Sequence, residues 1–324
     1  MFLKNQMHGW VFAAIAIVVW GMTFASTRSL LADFSSLEIL VLRFSLAWAA
    51  LWMICVANDR RPRRVRPACA VDVLRGEWIF AAMGLTGIVA YQFLENCAIY
   101  YTNASNVAIL VSFGPIVTAL MARAFAKSGR LSARLVVGSL VAVCGVALVS
   151  LDGVVEFCLR PLGDAMALCA MVSWGIYSIL LDAANRRGVP PLVAVRKAFG
   201  WALVMMAPFA AWGMTESGLC FLDGSFAVIL DIGVNAERFA DLSNWANIAF
   251  LGILASAASF VLWSVACRAL GVVKATVLLY LTPVAGVVFA VAGLGEKVTC
   301  PGIAGGCAIL AGVVLATNAR GGAR

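Results

Sequence analysis

Residues 103–125, NASNVAILVSFGPIVTALMARAF, form an apolar stretch with Pro115 near its centre. Residues 272–294, VVKATVLLYLTPVAGVVFAVAGL, form a second such stretch, and a shift of 168 residues places Pro283 opposite Pro115. About 20 apolar residues suffice for a helix to cross the roughly 30 Å hydrocarbon core of a bilayer, whereas proline disfavours the interior of any helix. The paired prolines therefore indicate two membrane spans that belong to an internal repeat.

The composition of the whole chain agrees with a membrane protein. Of the 324 residues, 63% are hydrophobic and 12% are charged, about half of the roughly 25% charged residues of soluble domains. The 16 acidic and 24 basic side chains cannot cover a soluble globule of this size, which excludes an ordinary cytosolic enzyme and a disordered chain. The bases cluster in short connections without an aromatic–basic stripe, so the net charge of +8 does not indicate a nucleic-acid partner.

Ten apolar stretches are long enough to span a bilayer, and we predict an all-α integral membrane protein with ten transmembrane helices. The predicted spans are residues 10–31, 37–57, 78–100, 103–125, 134–151, 164–181, 192–215, 245–267, 272–294 and 301–318. A cleaved signal peptide is the alternative for the first span, which follows Lys4. A span is favoured because a later segment repeats it.

The distribution of arginine and lysine predicts the orientation of the spans. Six arginines lie in the connection 58–77, and further bases flank the connection 126–133 and both termini. With ten spans these bases fall on one side, whereas the longest connection on the other side, 216–244, has five acids and one base. Because basic residues remain on the cytoplasmic side, we predict a multi-pass protein of the cytoplasmic membrane with both termini in the cytoplasm.

The repeat divides the chain into two halves of five spans, which we predict to be domains of residues 10–152 and 164–319. Besides the prolines, a shift of 154 residues aligns Trp20 with Trp174. Because five is an odd number, the second half enters the membrane in the opposite sense, as in the inverted repeats of many secondary transporters. We therefore predict a substrate cavity between the halves, near the middle of the membrane.

Several short motifs lie in or beside these spans. They are Trp20-Gly21, Arg43-Phe44, residues 100–105 (YYTNAS), Gly114-Pro115, Trp174-Gly175, Thr282-Pro283 and Gly295-Glu296. In these residues the chain resembles the EamA branch of the drug/metabolite transporter superfamily, over essentially its whole length. The resemblance implies ten spans in two inverted five-helix repeats and transport of small metabolites, often amino acids or related compounds and often outward. The connection 216–244 and the pair Glu95-Asn96 depart from the plainer family pattern.

Two ionisable residues, Glu95 and Arg43, lie well inside predicted spans. An ionisable group near a span centre costs roughly 2.5–3.5 kcal/mol, so such groups usually face a cavity or a partner. At 1.5 Å per residue both lie about 8–9 Å below the outer surface, which predicts an ion pair between them. The pair has two alternative roles. It braces adjacent helices, or it forms a gate in which Glu95 is the proton-coupling carboxylate.

Polar, aromatic and proline residues complete the candidate binding and gating site. Asn96 and Asn106 are expected near Glu95 as a polar pocket, with a hydrogen bond from Asn106 to a neighbouring helix as the alternative. Five aromatic residues lie deeper and suit stacking on an organic substrate, with plain helix packing as the alternative. They are Trp20, Trp174, Tyr177, Trp263 and Tyr280, and all but Trp263 are assigned to the candidate site. Pro115 and Pro283 each free a backbone carbonyl, which makes them candidate hinges.

These observations favour a secondary transporter over two alternatives, an intramembrane enzyme and a channel or scaffold protein. His8 is the only histidine, so zinc sites built on histidine pairs and Ser-His-Asp triads lack their parts. We predict no catalytic residue, metal or cofactor, and the lack of a P-loop motif means that a gradient or exchange supplies the energy. The expected partners are the bilayer and a small-molecule substrate, with a proton or an exchanged solute for coupling. A homodimer is left open.

Overall fold

The computed structural model of the protein describes residues 2–59, 70–102, 104–126, 132–151, 160–213, 237–294 and 299–318. Within these ranges the chain is helical without a strand, and ten helices are long and apolar enough to cross a membrane. The predicted all-α class and the ten spans are thereby confirmed. The arginine-rich stretch 60–69, the linker 152–159 and residues 214–236 of the long connection lie outside the described residues.

Each half contributes five helices. The first half consists of α1 (Phe2–Leu30), α2 (Ser36–Asp59), α3 (Ala70–Gly84, Leu85–Ala90 and Tyr91–Tyr101), α4 (Ala104–Val111 and Gly114–Ala126) and α5 (Ala133–Leu151). The second half consists of α6 (Pro161–Arg186), α7 (Pro191–Gly213), α8 (Leu242–Ala249, Phe250–Ala258 and Ser259–Leu270), α9 (Val272–Val277, Leu278–Leu281 and Thr282–Leu294) and α10 (Cys300–Thr317). A single 3₁₀ turn, Glu237–Phe239, precedes α8.

Local sequence explains where several helices begin and end. Ser35 and Glu38 form a capping box at the start of α2, because each side chain accepts a hydrogen bond from the backbone N–H of the other residue. Thr299 caps α10 by accepting a bond from the Gly302 N–H at 3.1 Å. Gly271 ends α8 with a φ of 84°, a left-handed conformation that glycine adopts without steric cost.

Two pairs of irregular segments interrupt the helices at matching places in the two halves. In α4 the helix breaks just before Gly114-Pro115, and in α9 a 3₁₀ turn precedes Pro283. In α3 and α8 the interruptions are π-helical, at Leu85–Ala90 and Phe250–Ala258, which overlap under the shift of 168 residues. π-helical turns are rare and occur frequently at functional sites.

The third helix of each half packs against the first two helices of the other half. Helix α3 packs against α6 and α7, and its counterpart α8 packs against α1 and α2. Helix α5 packs along α10, where a Cβ added at Gly145 would lie 2.6 Å from the carbonyl oxygen of Gly305. Small residues permit such close backbone approach in membranes, where apolar burial alone does not hold helices together.

Candidate functional site

A cavity of about 310 Å³ lies between the two halves. Its wall is formed by α1 to α6, α8 and α9. The lining residues lie in the middle of each helix or in the part of that helix nearer the α1–α2 turn. We call the side of that turn the distal side, and the side where α1 begins and α10 ends the terminal side. The cavity therefore extends from the centre of the bundle toward the distal side.

Eight of the ten residues in the predicted site line this cavity. They are Trp20, Arg43, Glu95, Asn96, Pro115, Trp174, Tyr280 and Pro283. Tyr177 lies behind Trp174, with the two ring centroids 5.1 Å apart, and is almost fully buried. Asn106 is buried within α4 and donates a hydrogen bond to Thr102 Oγ1 at 3.3 Å. Neither Tyr177 nor Asn106 belongs to the cavity wall.

The equivalent tryptophans of the two halves meet at the cavity. The rings of Trp20 and Trp174 stand nearly perpendicular, with centroids 6.4 Å apart. Phe260 packs 5.5 Å from Trp20, and Tyr91 packs 5.1 Å from Trp174. The two tryptophans and their neighbours give the cavity an aromatic wall that draws on both halves.

The π-helical segments hold the first helix of each half in place. Trp20 Nε1 donates to the carbonyl oxygen of Ala255, in the π-helical segment of α8, at 2.9 Å. In the other direction, Ser173 Oγ of α6 donates to the carbonyl oxygen of Thr86, in the π-helical segment of α3, at 2.9 Å. Each first helix is thus bonded to the third helix of the opposite half, and Trp20 is oriented toward the cavity by such a bond.

Arg43 is a buried cation in the cavity wall, with 8% of its surface exposed. Its Nε donates to Ser256 Oγ of α8 at 3.0 Å, and its guanidinium carbon lies 5.0 Å from the centroid of the Phe44 ring. Within the described part of the chain, Ser256 is its only hydrogen-bond partner and no carboxylate pairs with it directly. The N–H groups of the terminal nitrogens Nη1 and Nη2 therefore have no partner among the described residues and remain available to a ligand in the cavity.

Glu95 faces the same cavity from α3. Tyr91, one turn earlier in α3, donates its hydroxyl to Glu95 Oε1 at 3.1 Å. The next residue, Asn96, donates from Nδ2 to Ser36 Oγ at the start of α2. Glu95 and Arg43 both line the cavity but form no direct ion pair, in contrast to the sequence prediction. The reason is that Ser256 turns Arg43 toward α8 while Tyr91 holds Glu95 on its own helix.

Further polar residues of the wall escaped the sequence analysis. They are Thr23, Thr27, Ser36, Gln92 and Ser112. One signal was available for Gln92, which lies three and four residues before Glu95 and Asn96 and so shares their helix face. The threonines and serines gave no comparable signal, because such residues also bond to their own helix in membrane spans. Thr23 Oγ1, for example, donates to the carbonyl oxygen of Trp20 at 2.7 Å.

A buried ion pair joins the halves on the distal side of the cavity. Arg238 donates from Nη2 to Glu38 Oε1 at 2.6 Å and from Nη1 to Glu38 Oε2 at 2.9 Å. Its guanidinium carbon also lies 4.6 Å from the centroid of the Phe34 ring. Asn244 Nδ2 donates to Asp33 Oδ2 at 2.8 Å and to the Arg238 carbonyl oxygen at 2.9 Å. We call these five residues the distal clamp.

Known proteins share both the sequence pattern and the fold described above. The model of the EamA-like transporter family matches residues 7–151 and 161–318. The chain belongs to the EamA-like transporter family. This confirms the resemblance that the sequence motifs indicated, and the double match agrees with two related halves.

Two relatives of this EamA protein are named for transport of amino acids or their metabolites. A probable terminal-alkyne amino-acid exporter of Streptantibioticus cattleyicolor is 28% identical over 93% of this chain and 90% of its own length. A probable amino-acid metabolite efflux pump of Escherichia coli is 24% identical over 94% of this chain and 93% of its own length. These relatives are transporters by name, which supports the expectation of a membrane transport protein rather than an enzyme.

A solved crystal structure shares the fold of this EamA protein. It superposes with a TM-score of 0.68 and covers 96% of this chain and 97% of its own, at 19% sequence identity. The arrangement of ten helices is therefore common to the two molecules. Likeness at this level of identity concerns the fold and leaves the substrate open.

Proposed function

We propose that the protein is a secondary transporter that exports a small organic metabolite, an amino acid or a related compound, across the cytoplasmic membrane by alternating access. The observation that carries this proposal is the cavity between the halves, where the equivalent residues Trp20 and Trp174 meet. In inverted-repeat transporters the substrate site lies near the bilayer midplane at the interface of the repeats. The cavity lies at the interface of the two repeats, which supports its role as the substrate site.

The size and chemistry of the cavity suit a small organic solute. Its volume of about 310 Å³ is at the lower end of the roughly 300–1,000 Å³ of small-molecule pockets. Its aromatic wall suits apolar or cationic groups, and Arg43 and Glu95 offer one positive and one negative group. The names of the relatives from Streptantibioticus cattleyicolor and Escherichia coli support an amino acid as the substrate and export as the direction.

Alternating access is supported by the one-sided shape of the cavity. Toward the terminal side the bundle is filled by Tyr177, Phe199 and Trp263, which are fully buried. An ion pair between Lys197 and Glu77 braces α7 against α3 on that side. We therefore infer a conformation that is closed toward the terminal side and in which the Arg238–Glu38 ion pair still joins the halves on the distal side. If both termini are cytoplasmic, as the charge distribution predicts, the distal side faces the exterior.

The moving parts in this proposal are the two repeats, residues 10–152 and 164–319. Pro115 and Pro283 are the proposed hinges, because both line the cavity and both follow an interruption of their helix. Glu95 is the proposed gating or proton-coupling carboxylate. Its position in the cavity wall, without a direct ion pair to Arg43, supports a group that exchanges a proton during the transport cycle rather than a fixed brace.

Counterflow in proteoliposomes tests the proposed function. The full-length protein is reconstituted in vesicles loaded with an excess of one unlabelled amino acid, and the tritiated form is supplied outside without ATP. L-phenylalanine, L-leucine and L-threonine form the initial panel, and protein-free vesicles are the control. A transporter accumulates the label transiently above the outside concentration. Equilibration without accumulation for every member of a complete amino-acid panel indicates a channel, and absence of any movement contradicts transport of amino acids.

A further inference from the structure

Arg43 combines three properties that together point to a ligand-binding role. It is buried, it lines the central cavity, and its terminal nitrogens lack a hydrogen-bond partner among the described residues. Removing a charge from water is costly unless a partner of opposite charge or several hydrogen bonds compensate. A single bond from Nε to Ser256 and contact with the Phe44 ring leave most of this requirement unmet.

The geometry of the guanidinium restricts which partner fits. A guanidinium presents its donors in a planar fork, and a carboxylate accepts two of them in parallel. In Arg43 the bond from Nε fixes one edge of the fork to α8. The remaining donors on Nη1 and Nη2 stay available to a ligand. Ser256 thus has the position of a residue that orients Arg43 rather than one that neutralises it.

Glu95 offers the complementary group in the same cavity. Tyr91 bonds to Oε1, and no ion pair or other hydrogen bond to this carboxylate is present in the described ranges. Arg43 and Glu95 therefore face one cavity as separate charges of opposite sign. A molecule that carries a carboxylate and an ammonium group at a short separation satisfies both. The aromatic wall of Trp20, Trp174 and Phe260 then remains for its side chain.

We propose that Arg43 binds the carboxylate group of the transported substrate and that Glu95 binds its ammonium group, so that the cavity selects zwitterionic amino acids. This inference rests on the proposed function. It adds the chemical class of the substrate and names the residues that bind its carboxylate and ammonium groups. A neutral or purely cationic metabolite offers no anionic group to Arg43, so this arrangement disfavours its binding.

Matched acid and amide ligands test the role of Arg43. Binding of L-phenylalanine, L-leucine and L-threonine to the purified full-length protein is compared with binding of the three corresponding amides, which keep the ammonium group and lose the carboxylate. We expect each amide to bind about 10- to 100-fold more weakly than its acid, the effect of losing hydrogen bonds to a charged group. Arg43→Gln is expected to bind acid and amide with closely similar affinities.

Arg28→Gln is the matched control. Arg28 is an exposed residue near the distal end of α1, outside the described cavity wall, and its replacement changes the net charge equally. This variant is expected to keep the wild-type ratio of acid to amide affinity. The comparison in the wild-type protein needs no variant, so the test stands even if Arg43→Gln fails to fold.

The outcomes separate this inference from the proposed function. Equal affinity of the wild-type protein for acid and amide overturns the inference, and so does an Arg43→Gln protein that retains the wild-type preference. If counterflow of an amino acid persists in either case, the proposed transport function is intact. If no amino acid in a complete panel is bound or moved by the wild-type protein, the proposed function and the inference both fail.

Discussion

Replacing Arg238 with alanine is expected to lower the free energy of unfolding by about 3 kcal/mol, the lower end of the 3–5 kcal/mol for breaking a buried ion pair. The side chains of Arg238 and Glu38 are 11% and 6% exposed, so water replaces the lost partner only in part. Glu38 loses bonds of 2.6 and 2.9 Å but keeps the bond from the Ser35 N–H at 2.8 Å. That remaining bond offsets part of the loss and favours the lower value.

Equilibrium unfolding of the purified protein in mixed micelles measures this effect. A double-mutant cycle with Glu38→Gln isolates the interaction of the two side chains, for which we expect a coupling of about 2–3 kcal/mol. The ion pair between Arg186 and Asp182 provides a control, because its side chains are 51% and 21% exposed within one helix. Arg186→Ala is expected to cost only about 0.3–0.5 kcal/mol. Additive effects of the Arg238 and Glu38 replacements would refute the assignment of these two residues of the distal clamp as a coupled pair.

Three further predictions concern the cavity and the helix interfaces. Trp20→Ala and Trp174→Ala are each expected to raise the apparent KM for transport about tenfold, since stacking contacts of 1–1.5 kcal/mol are lost; unchanged affinity in both variants contradicts a shared cavity. Glu95→Gln is expected to abolish proton-driven transport and to retain exchange with a raised apparent KM, because the amide cannot titrate and attracts the substrate's ammonium group less strongly; normal pH-driven transport with normal expression removes Glu95 from the coupling mechanism. Gly145→Ala is expected to destabilise the protein by about 1–3 kcal/mol, because the added methyl group would clash with backbone atoms of α10, which cannot move aside as a flexible side chain can. A neutral effect in equilibrium unfolding argues against the close contact.

The structure supplies matched controls for two of these experiments. Trp52 is an exposed tryptophan of α2 and does not line the described cavity, so Trp52→Ala is expected to leave the apparent KM unchanged. Gly306 lies in α10 with open space around it, so Gly306→Ala is expected to be neutral or to stabilise by up to about 1 kcal/mol. If Trp52→Ala raises the apparent KM as much as the cavity variants, or Gly306→Ala destabilises the protein as much as Gly145→Ala, the effects reflect general damage rather than the named contacts.

The helices and their repeat were accessible from the sequence because the bilayer imposes strong constraints. Backbone groups in lipid must be hydrogen-bonded within the protein, and a helix achieves this within a single segment, so long apolar stretches predict helices with little ambiguity. The pairs Pro115 with Pro283 and Trp20 with Trp174 then indicated the two halves. By contrast, the π-helical segments Leu85–Ala90 and Phe250–Ala258 have ordinary apolar compositions. Nothing in their residue types distinguishes them from regular helix.

The candidate site was predictable as a set of residues but not as a set of contacts. Depth along the spans brought Arg43 and Glu95 to one level, which agrees with their shared cavity. Depth does not give the direction in which a side chain turns, and Arg43 bonds to Ser256, a residue far away in the sequence. Arg238 illustrates the same limit. It appeared only as one base in an acidic connection, because its partner Glu38 lies in the other half.

The central claim is that the transported substrate binds in the cavity between the two halves. Crystals of the full-length protein grown with para-bromo-L-phenylalanine, after counterflow has shown that this amino acid is transported, locate it directly through the anomalous scattering of bromine. We predict a peak inside the cavity, against the rings of Trp20 and Trp174, with density for the carboxylate next to Arg43. A peak only at another position, with the cavity free of ligand density at saturating concentration, would contradict the claim.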